Sequence, residues 1–550
     1  NFAPWLKFTG RMGIDFYKMV AEERLAIGSQ AQSEYFQDVN TNNEMNSEMF
    51  LTFNKRFSDD LIGVSALVGA NRLDRKFWRN GGVTIGGLIQ PKLYNLSNSL
   101  NKATVYDRLS WKRVNSVYAN ATLDYNRMVY LELTGRNDWS STLPANNRSY
   151  FYPSATVSFI LTELEPLKDQ SIISFAKLRG GIAQVGNDTG PYELLNYVSI
   201  NPTFMDANLE QNPRMGFSST LNNPDLKPEK TSSWEIGTEI HFLQNRLGLD
   251  ISYFFKETKD QIVPVRVSGA TGYNQQVINA GKMTNKGLEV AIMGTPVATK
   301  SFTWDVLLNI ATIKNKVDEI APGLDYLTLG NGPFKVQSGA FVGKAYPIIY
   351  GTDYVKDKSG NIIVSTNGDY IPSEIKPLAN VTPEFTAGLT NTFNYKGFEF
   401  SFLVDMQRGG NMYFLSYMWG MYSGILEESA KTNELGFNIR EDIADGGGVL
   451  LKGVYGSYNA VTGVITYLDA DGNPSATPVE NTTRTDGQAW AEHHYDGPDR
   501  QSIFSTDFIK LREVRFAYEL PSKFTGPVKA VKVSAFARNI AIFGAENQHF

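Results

Sequence analysis

VYLELTGR, residues 129–136, sets Val129, Leu131 and Leu133 against Tyr130, Glu132, Thr134 and Arg136. Successive side chains of a strand point to opposite faces, so this run has one oily face and one polar face. The pattern recurs. In residues 151–160, Phe151, Ala155, Val157 and Phe159 alternate with Tyr152, Ser154, Thr156 and Ser158. Trp234, Ile236 and Ile240 oppose Glu235, Glu239 and His241; after a turn at 244–245, Leu247, Leu249 and Ile251 oppose Gly248, Asp250 and Ser252. Outward from these runs, similar segments extend from near residue 6 to near residue 540, about 15 strands in all. Many span about 10–14 residues, whereas a globular strand has about 5 or 6 and a strand crossing a bilayer needs about 9–11.

The links between these strands alternate in length. Short ones fall at 58–59, 126–127, 244–245, 295–299 and 395–397, long ones near 18–43, 73–114, 186–231, 259–284, 314–382 and 409–505, and those at 139–150 and 163–173 are intermediate. Tight turns at one rim and large loops at the other describe a transmembrane barrel. A compact soluble domain rarely holds one structureless loop of that size. The fold expected is therefore all-β: a large antiparallel transmembrane β-barrel, of which residues 1–550 form a part. With short turns on the periplasmic side, the first and last strands both run outward, an odd count. An open edge in lipid costs several kcal/mol per unpaired group, so further strands are expected from sequence beyond this chain.

Composition narrows the chemistry. The chain has 550 residues, no Cys and four His, which excludes disulfides, thiolate zinc sites and Cys nucleophiles. Its 52 basic and 57 acidic side chains leave a formal charge of -5, unsuited to a nucleic-acid surface. No run of 18 apolar residues is present, which excludes spanning helices and says nothing of spanning strands. No nucleophile elbow or zinc-helix motif appears, so no catalytic residue is expected.

An Arg or Lys facing lipid at mid-bilayer costs about 2–4 kcal/mol. Glu132, Arg136, Glu235, Glu239, Asp250, Glu513 and Arg515 are accordingly expected to line a lumen; the alternative is the wet face of an ordinary sheet. Phe536 breaks the alternation by entering a polar register. Trp5, Phe8, Trp139, Tyr150, Phe151, Tyr152, Trp234, Phe254, Phe255, Trp304, Phe516 and Tyr518 lie near strand ends, as girdle residues at headgroup depth or as core residues. In the largest loop, Tyr413, Trp419, Tyr422, Trp490 and Tyr495 are candidates for stacking on sugar faces or gripping a peptide. Packing within the loop or against a partner suits the same residues.

Other motifs are weaker. Asp469-Ala-Asp471-Gly-Asn473-Pro-Ser475-Ala-Thr477-Pro-Val-Glu480 has oxygens at calcium-loop spacing, yet Pro474 stands where such a loop needs Gly. A polar hairpin turn is the better reading, and no cofactor is expected. The adjacent His493 and His494 need not converge on a metal, and none is expected. Residues 446–448, three glycines, read as a flexible loop.

Several stretches resemble the SusC/RagA-like branch of TonB-dependent outer-membrane transporters from Bacteroidota: LELTGRNDWSSTLPANNRSYFYPSATVSFIL (131–161), LRGGIAQVGND (178–188), NPDLKPEKTSSWEIGTEI (223–240), NAGKMTNKGLEV (279–290), VGKAYPIIYG (342–351), ANVTPEFTAGLTNTFNYKGFEFSF (379–402), DFIKLREVRFAYELP (507–521) and VSAFARNIAIF (533–543). The resemblance implies a barrel of about 22 strands with an N-terminal plug. It also implies outer-membrane lipid around the barrel, a SusD-like surface lipoprotein as lid, and a TonB complex acting through an N-terminal region not contained in this chain. The cargo it implies is a large nutrient, an oligosaccharide ahead of a peptide. A passive porin shares every barrel feature and differs by lacking a plug. A soluble β-rich carbohydrate-binding or scaffold protein is the third alternative.

Overall fold

The computed structural model describes residues 2–168, 170–201, 214–332, 336–524, 528 and 530–546. Fifteen long strands dominate it: β1 (Leu6–Leu25), β2 (Glu34–Phe57), β3 (Ile62–Leu88), β4 (Ser99–Tyr125), β5 (Val129–Ser140), β6 (Ser149–Ile160), β7 (Ile173–Asn187), β8 (Glu229–Phe242), β9 (Leu247–Arg266), β10 (Gln275–Ala298), β11 (Phe302–Glu319), β12 (Phe385–Tyr395), β13 (Phe398–Arg408), β14 (Phe508–Glu519) and β15 (Lys532–Phe543). They belong to a sixteen-stranded sheet, whose remaining member is the two-residue strand Thr220–Leu221, parallel to β10. Two compact units divide the chain, Asn1–Thr238 with Phe254–Lys282 and Glu239–Tyr253 with Met283–Phe550.

In the first unit, β1 to β7 pair antiparallel in sequence order. Register carries the alternation from strand to strand. Leu6, Phe53, Ala66, Ala121, Leu133, Ala155 and Ile182 form one continuous cross-strand row. Leu133 and Ile182 are exposed, as are Val68, Val117, Phe151 and Val157 on the same face, so this face is a broad apolar surface. A soluble protein rarely exposes such a patch; a lipid-facing wall must.

The opposite face is a lattice of ion pairs. Arg11 lies opposite Glu48 and bonds it at 2.5 Å, and Arg75 reaches Glu44. Tyr118 and Glu48, Tyr152 and Asp138, and Lys112 and Asp188 are further hydrogen-bonded partners. Tyr150 shares the row of Asp138, and Tyr152 that of Arg136. These two tyrosines therefore belong to the polar face rather than to a girdle, because the period-two pleat turns them away from Phe151.

In the second unit, β11, β12, β13, β14 and β15 pair in that order. Trp304, Phe393, Phe400, Phe516 and Ala535 form one row, with ring centroids 5.7, 6.0 and 4.7 Å apart along its four aromatics. The adjacent polar row ends with Arg515 opposite Phe536, whose ring is covered by the Arg538 guanidinium at 4.9 Å. A cation over the ring face accommodates the one aromatic in a polar register.

Short links at 58–61, 126–128, 243–246, 299–301 and 396–397 alternate with longer ones, except that 161–172 and 520–531 stand in short positions with twelve residues each. At the short link 126–127, Asn126 and Arg127 both have positive φ, 50° and 53°, the requirement of a two-residue hairpin turn whose twist matches its strands. Three expected long loops are corrected by the structure. Much of 18–43, 73–114 and 259–284 is strand, leaving connections of only 26–33, 89–98 and 267–274. Arg72, Asp74, Arg75, Lys76 and Arg79 put charge on both faces of β3, which hid the strand. Cross-strand pairs such as Arg75–Glu44 and Arg79–Asp38, and Arg113 beside Asp74, hold that stretch together. Residues 202–213, within the loop expected near 186–231, and 333–335, within 314–382, lie outside the described residues.

Candidate functional site

The segments expected as loops near 314–382 and 409–505 are folded. Strands Tyr326–Asn331, Gln337–Phe341, Ile348–Tyr354 and Pro372–Asn380 make a four-stranded sheet. Val336, Ile349 and Ile503 are buried together beneath it, with Leu378, Ala379 and Tyr413 against them. A second core gathers Val355, Ile363 and Val454 with Ile371, Tyr458, Ile465 and Tyr467. These strands have two to nine residues and bury positions on both sides, so no alternation marks them in the sequence.

Turns built from short side chains close the module. In Asp357-Lys-Ser359-Gly-Asn361, Asp357 Oδ1 accepts the Ser359 and Asn361 amides at 2.8 and 2.9 Å, and Tyr467 donates to Oδ2 at 3.0 Å. Asp469-Ala-Asp471-Gly-Asn473 repeats the turn, with the Asp471 and Asn473 amides at 3.0 and 2.8 Å from Asp469 Oδ1. The Asn473 amide holds the Asp469 carboxyl below its ordinary range. Asp469 thus directs its carboxylate at its own backbone, as a hairpin turn does. A buried fastener joins the two long segments: Asp499 Oδ2 accepts the Thr352 amide at 2.7 Å and its hydroxyl at 2.8 Å, at 2% exposure.

Two helices carry the candidate site. α1 (Leu415–Tyr422) buries Met418 and Met421 and leaves Trp419 and Tyr422 outward. α2 (Gly487–Asp496) is capped by Asp486, whose side chain accepts from the amides of Gln488 and Ala489 at 2.8 and 3.1 Å. At its first residue a Cβ would lie 2.2 Å from the Ile439 carbonyl oxygen, so only Gly487 permits this docking.

Three of the five expected aromatics converge. Tyr422 lies 5.4 Å from Trp419 and 5.3 Å from Tyr495, and Trp419 and Tyr495 are 6.1 Å apart, centroid to centroid. Trp419 and Tyr422 are 42% and 41% exposed, enough ring to stack on a ligand. Beside them lies a pocket of about 430 Å³ whose wall includes Tyr422, Arg440, Asp442, Asp486 and Glu492. Arg440 is anchored there by Nε to the Ser429 carbonyl and Nη2 to the Ser429 hydroxyl, both at 2.7 Å. Flat rings beside a fan of donors and acceptors suit a ligand with apolar faces and hydroxyl edges.

The other two aromatics do not join them. Tyr413 packs in the small core of Val336, Ile349 and Ile503, where burial pushes its phenol pKa up. Trp490 meets His494 edge-on at 5.4 Å, with Lys431 5.4 Å from its ring centre. His494 is buried, also facing Tyr417 at 5.9 Å, and desolvation lowers its pKa. Its neighbour His493 points instead to Asp369, at 3.4 Å. The spacing of Trp419 and Tyr422, three apart on one helix face, is the signal that separates the cluster from the packing aromatics.

Six of the seven expected lumen-lining residues have their partners on the same sheet. Glu132 accepts from Asn120 at 2.6 Å, and Arg136 donates to Asp138 at 2.8 Å and Ser116 at 2.7 Å. Glu235 stands 4.0 Å from Arg179, and Glu239 3.1 Å from His241. Asp250 is half-buried on β9. Glu513 accepts from Arg538 at 2.7 Å, and Arg515 lies 3.1 Å from Glu399. Pairing of this density makes a rigid polar wall rather than a set of free binding charges.

A family model described as TonB dependent receptor-like, beta-barrel, matches residues 5–423. TonB-dependent receptor P3 of Formosa agariphila is 24% identical over 561 residues, covering 94% of this chain and 49% of that protein. TonB-dependent receptor SusC of Bacteroides thetaiotaomicron is 30% identical over 339 residues, covering 56% of this chain and 32% of that protein. Among solved structures, the RagAB peptide transporter matches with a TM-score of 0.72 at 17% identity, covering 100% of this chain and 57% of that one. The chain thus spans half or less of the length of these curated relatives. By the extent of the family match, this chain belongs to the TonB dependent receptor-like β-barrel family of the outer membrane.

Proposed function

We propose that the complete protein imports an oligosaccharide across the outer membrane, energised by the TonB complex and assisted by a SusD-like surface lipoprotein as lid. Family membership and the SusC-like relatives support active import. The observation that carries the cargo class is the triangle of exposed Trp419 and Tyr422 with half-buried Tyr495, beside a pocket walled by Arg440, Asp442, Asp486 and Glu492. Sugar rings present axial C–H faces to aromatics and hydroxyl edges to charged side chains, and this surface offers both partners. Although one similar structure is a peptide transporter, a likeness at 17% identity speaks for the fold alone. In the cycle proposed, cargo first rests on the triangle beneath the lid. A pull on a plug then opens the polar-walled interior, and release follows conformational change with no bond broken in the cargo.

The test uses the full-length protein with its lid in the native membrane. Trp419→Ala with Tyr422→Ala should weaken oligosaccharide binding and slow growth on that sugar, while folded barrel in the membrane is unchanged. Undiminished binding would reject the triangle as cargo surface. Deleting the TonB-contacting segment should abolish growth on the sugar; growth at the wild-type rate would instead favour a passive porin.

A further inference from the structure

The apolar face of β2, β3 and β4 ends at a defined level, and what replaces it is basic. Along β3, Ile62, Val64, Ala66, Val68 and Ala70 share that face, a stretch of about 26 Å at the strand rise. The next residues on the same face are Arg72, Asp74, Lys76 and Trp78, opposite Asn115, Arg113, Trp111 and Leu109 of β4. Lys18 of β1 follows in the row of Thr41 and Trp78. These side chains point away from the ion-paired wall, into the surroundings of the sheet.

Their arrangement is built. Asp74, 7% exposed, accepts Arg72 Nε at 2.8 Å, Arg113 Nε at 2.6 Å and Trp111 Nε1 at 3.3 Å. The Trp111 ring has the Arg113 guanidinium 5.0 Å and the Lys76 ammonium 4.7 Å from its centre. Trp78 donates its indole N–H to Asp107. One buried carboxylate thus fixes two guanidiniums through Nε, and the terminal nitrogens of neither make a hydrogen bond among the described residues. Three cations against Asp74 and Asp107 keep a positive excess, and Lys18 adds to it. Lys76 forms no ion pair among the described residues.

We propose that this patch binds the phosphate of a phosphorylated lipid headgroup in the outer leaflet. The inference rests on the reading of this sheet as a membrane wall with its short turns periplasmic. In that orientation the apolar rows end directly beneath Arg72 and Arg113, and Lys76 with Trp111 and then Trp78 follow outward, so cations and indoles share the headgroup layer. Guanidiniums held in fixed positions recognise phosphate oxygens by charge-assisted hydrogen bonds, and apolar rows directly below take the acyl chains. Lipid is favoured over a free anion because the patch is continuous with the apolar face.

The experiment takes the full-length protein in detergent and measures retained lipid by native mass spectrometry, using a phosphorylated glycolipid and its dephosphorylated counterpart as probes. The combined variant Arg72→Gln, Lys76→Gln, Arg113→Gln should retain the phosphorylated probe roughly a hundredfold more weakly. Arg75→Gln with Lys112→Gln, on the opposite face of the same strands, should match the wild type. Equal retention of both probes, or equal loss in both variants, would overturn the proposal. So would displacement by millimolar inorganic phosphate alone, the mark of a free-anion site. Heat-dependent gel mobility checks that each variant folds; single Arg72→Gln and Lys76→Gln substitutions serve if the combined one does not. Failure of the membrane reading is distinguishable, since the protein would then leave membranes without detergent.

Discussion

The ladder β1–β7 and the module built from residues 320–384 and 409–507 solve the same problem in opposite ways. In the ladder, each strand has many backbone hydrogen bonds and two unlike faces, one apolar and one woven from ion pairs. Its information is distributed, and many single residues can change without altering the register. In the module the strands are short, the buried clusters hold three residues each, and geometry depends on a few side chains that reach across the chain. Local faults should therefore be graded by environment in the ladder and by connectivity in the module.

The sharpest test of that contrast is Asp499→Ala. It removes two hydrogen bonds to a buried carboxylate and leaves the Thr352 amide without its acceptor, at a cost of about 4 kcal/mol. Hydrogen exchange should show the module opening while β1–β7 stay protected; uniform protection would break the comparison. Next is Leu133→Arg, which puts a cation on the apolar face at about 2–4 kcal/mol. Folding into lipid vesicles measures it, and Glu132→Gln on the next residue should be nearly silent. Equal costs at the two positions would remove the assignment of faces.

Acidity should act on the module before the ladder. His494 is neutral in the fold with a lowered pKa, whereas the unfolded imidazole titrates near 6.5. Its contribution is complete above that value. As pH falls below it the unfolded chain takes up a proton first, and stability declines by at most about 1.4 kcal/mol per pH unit. The decline stops once the folded imidazole also protonates. Melting of α1 and α2 followed against pH should show this, and His494→Phe should flatten the curve. Smallest is Asp486→Ala, which removes the cap of α2 and should cost about 1 kcal/mol, read as reduced helix protection.

The same contrast explains what the sequence revealed. Val129, Leu131 and Leu133 against Glu132 and Arg136 announced a two-faced strand because lipid and water impose a strict period of two. The outer halves of β2–β4 were hidden, since Arg72 and Arg75 lie on opposite faces and both are polar. Their partners Asp74 and Glu44 are close only once register is known. The module offered less. Its strands are buried on both sides, and its five aromatics look alike in sequence although two are packing residues. What was present was local: the repeated Asp-x-x-Gly-Asn turns at 357–361 and 469–473, and the helical spacing of Trp419 and Tyr422.

Thr352 and Asp499 stand 147 positions apart, on opposite sides of the β12–β13 hairpin. Neither insertion can complete its fold until the other is in place beside it. Any chimera meant to exchange recognition between relatives would have to transplant both as a single cassette, because moving one alone separates a carboxylate from the hydroxyl and amide that hold it.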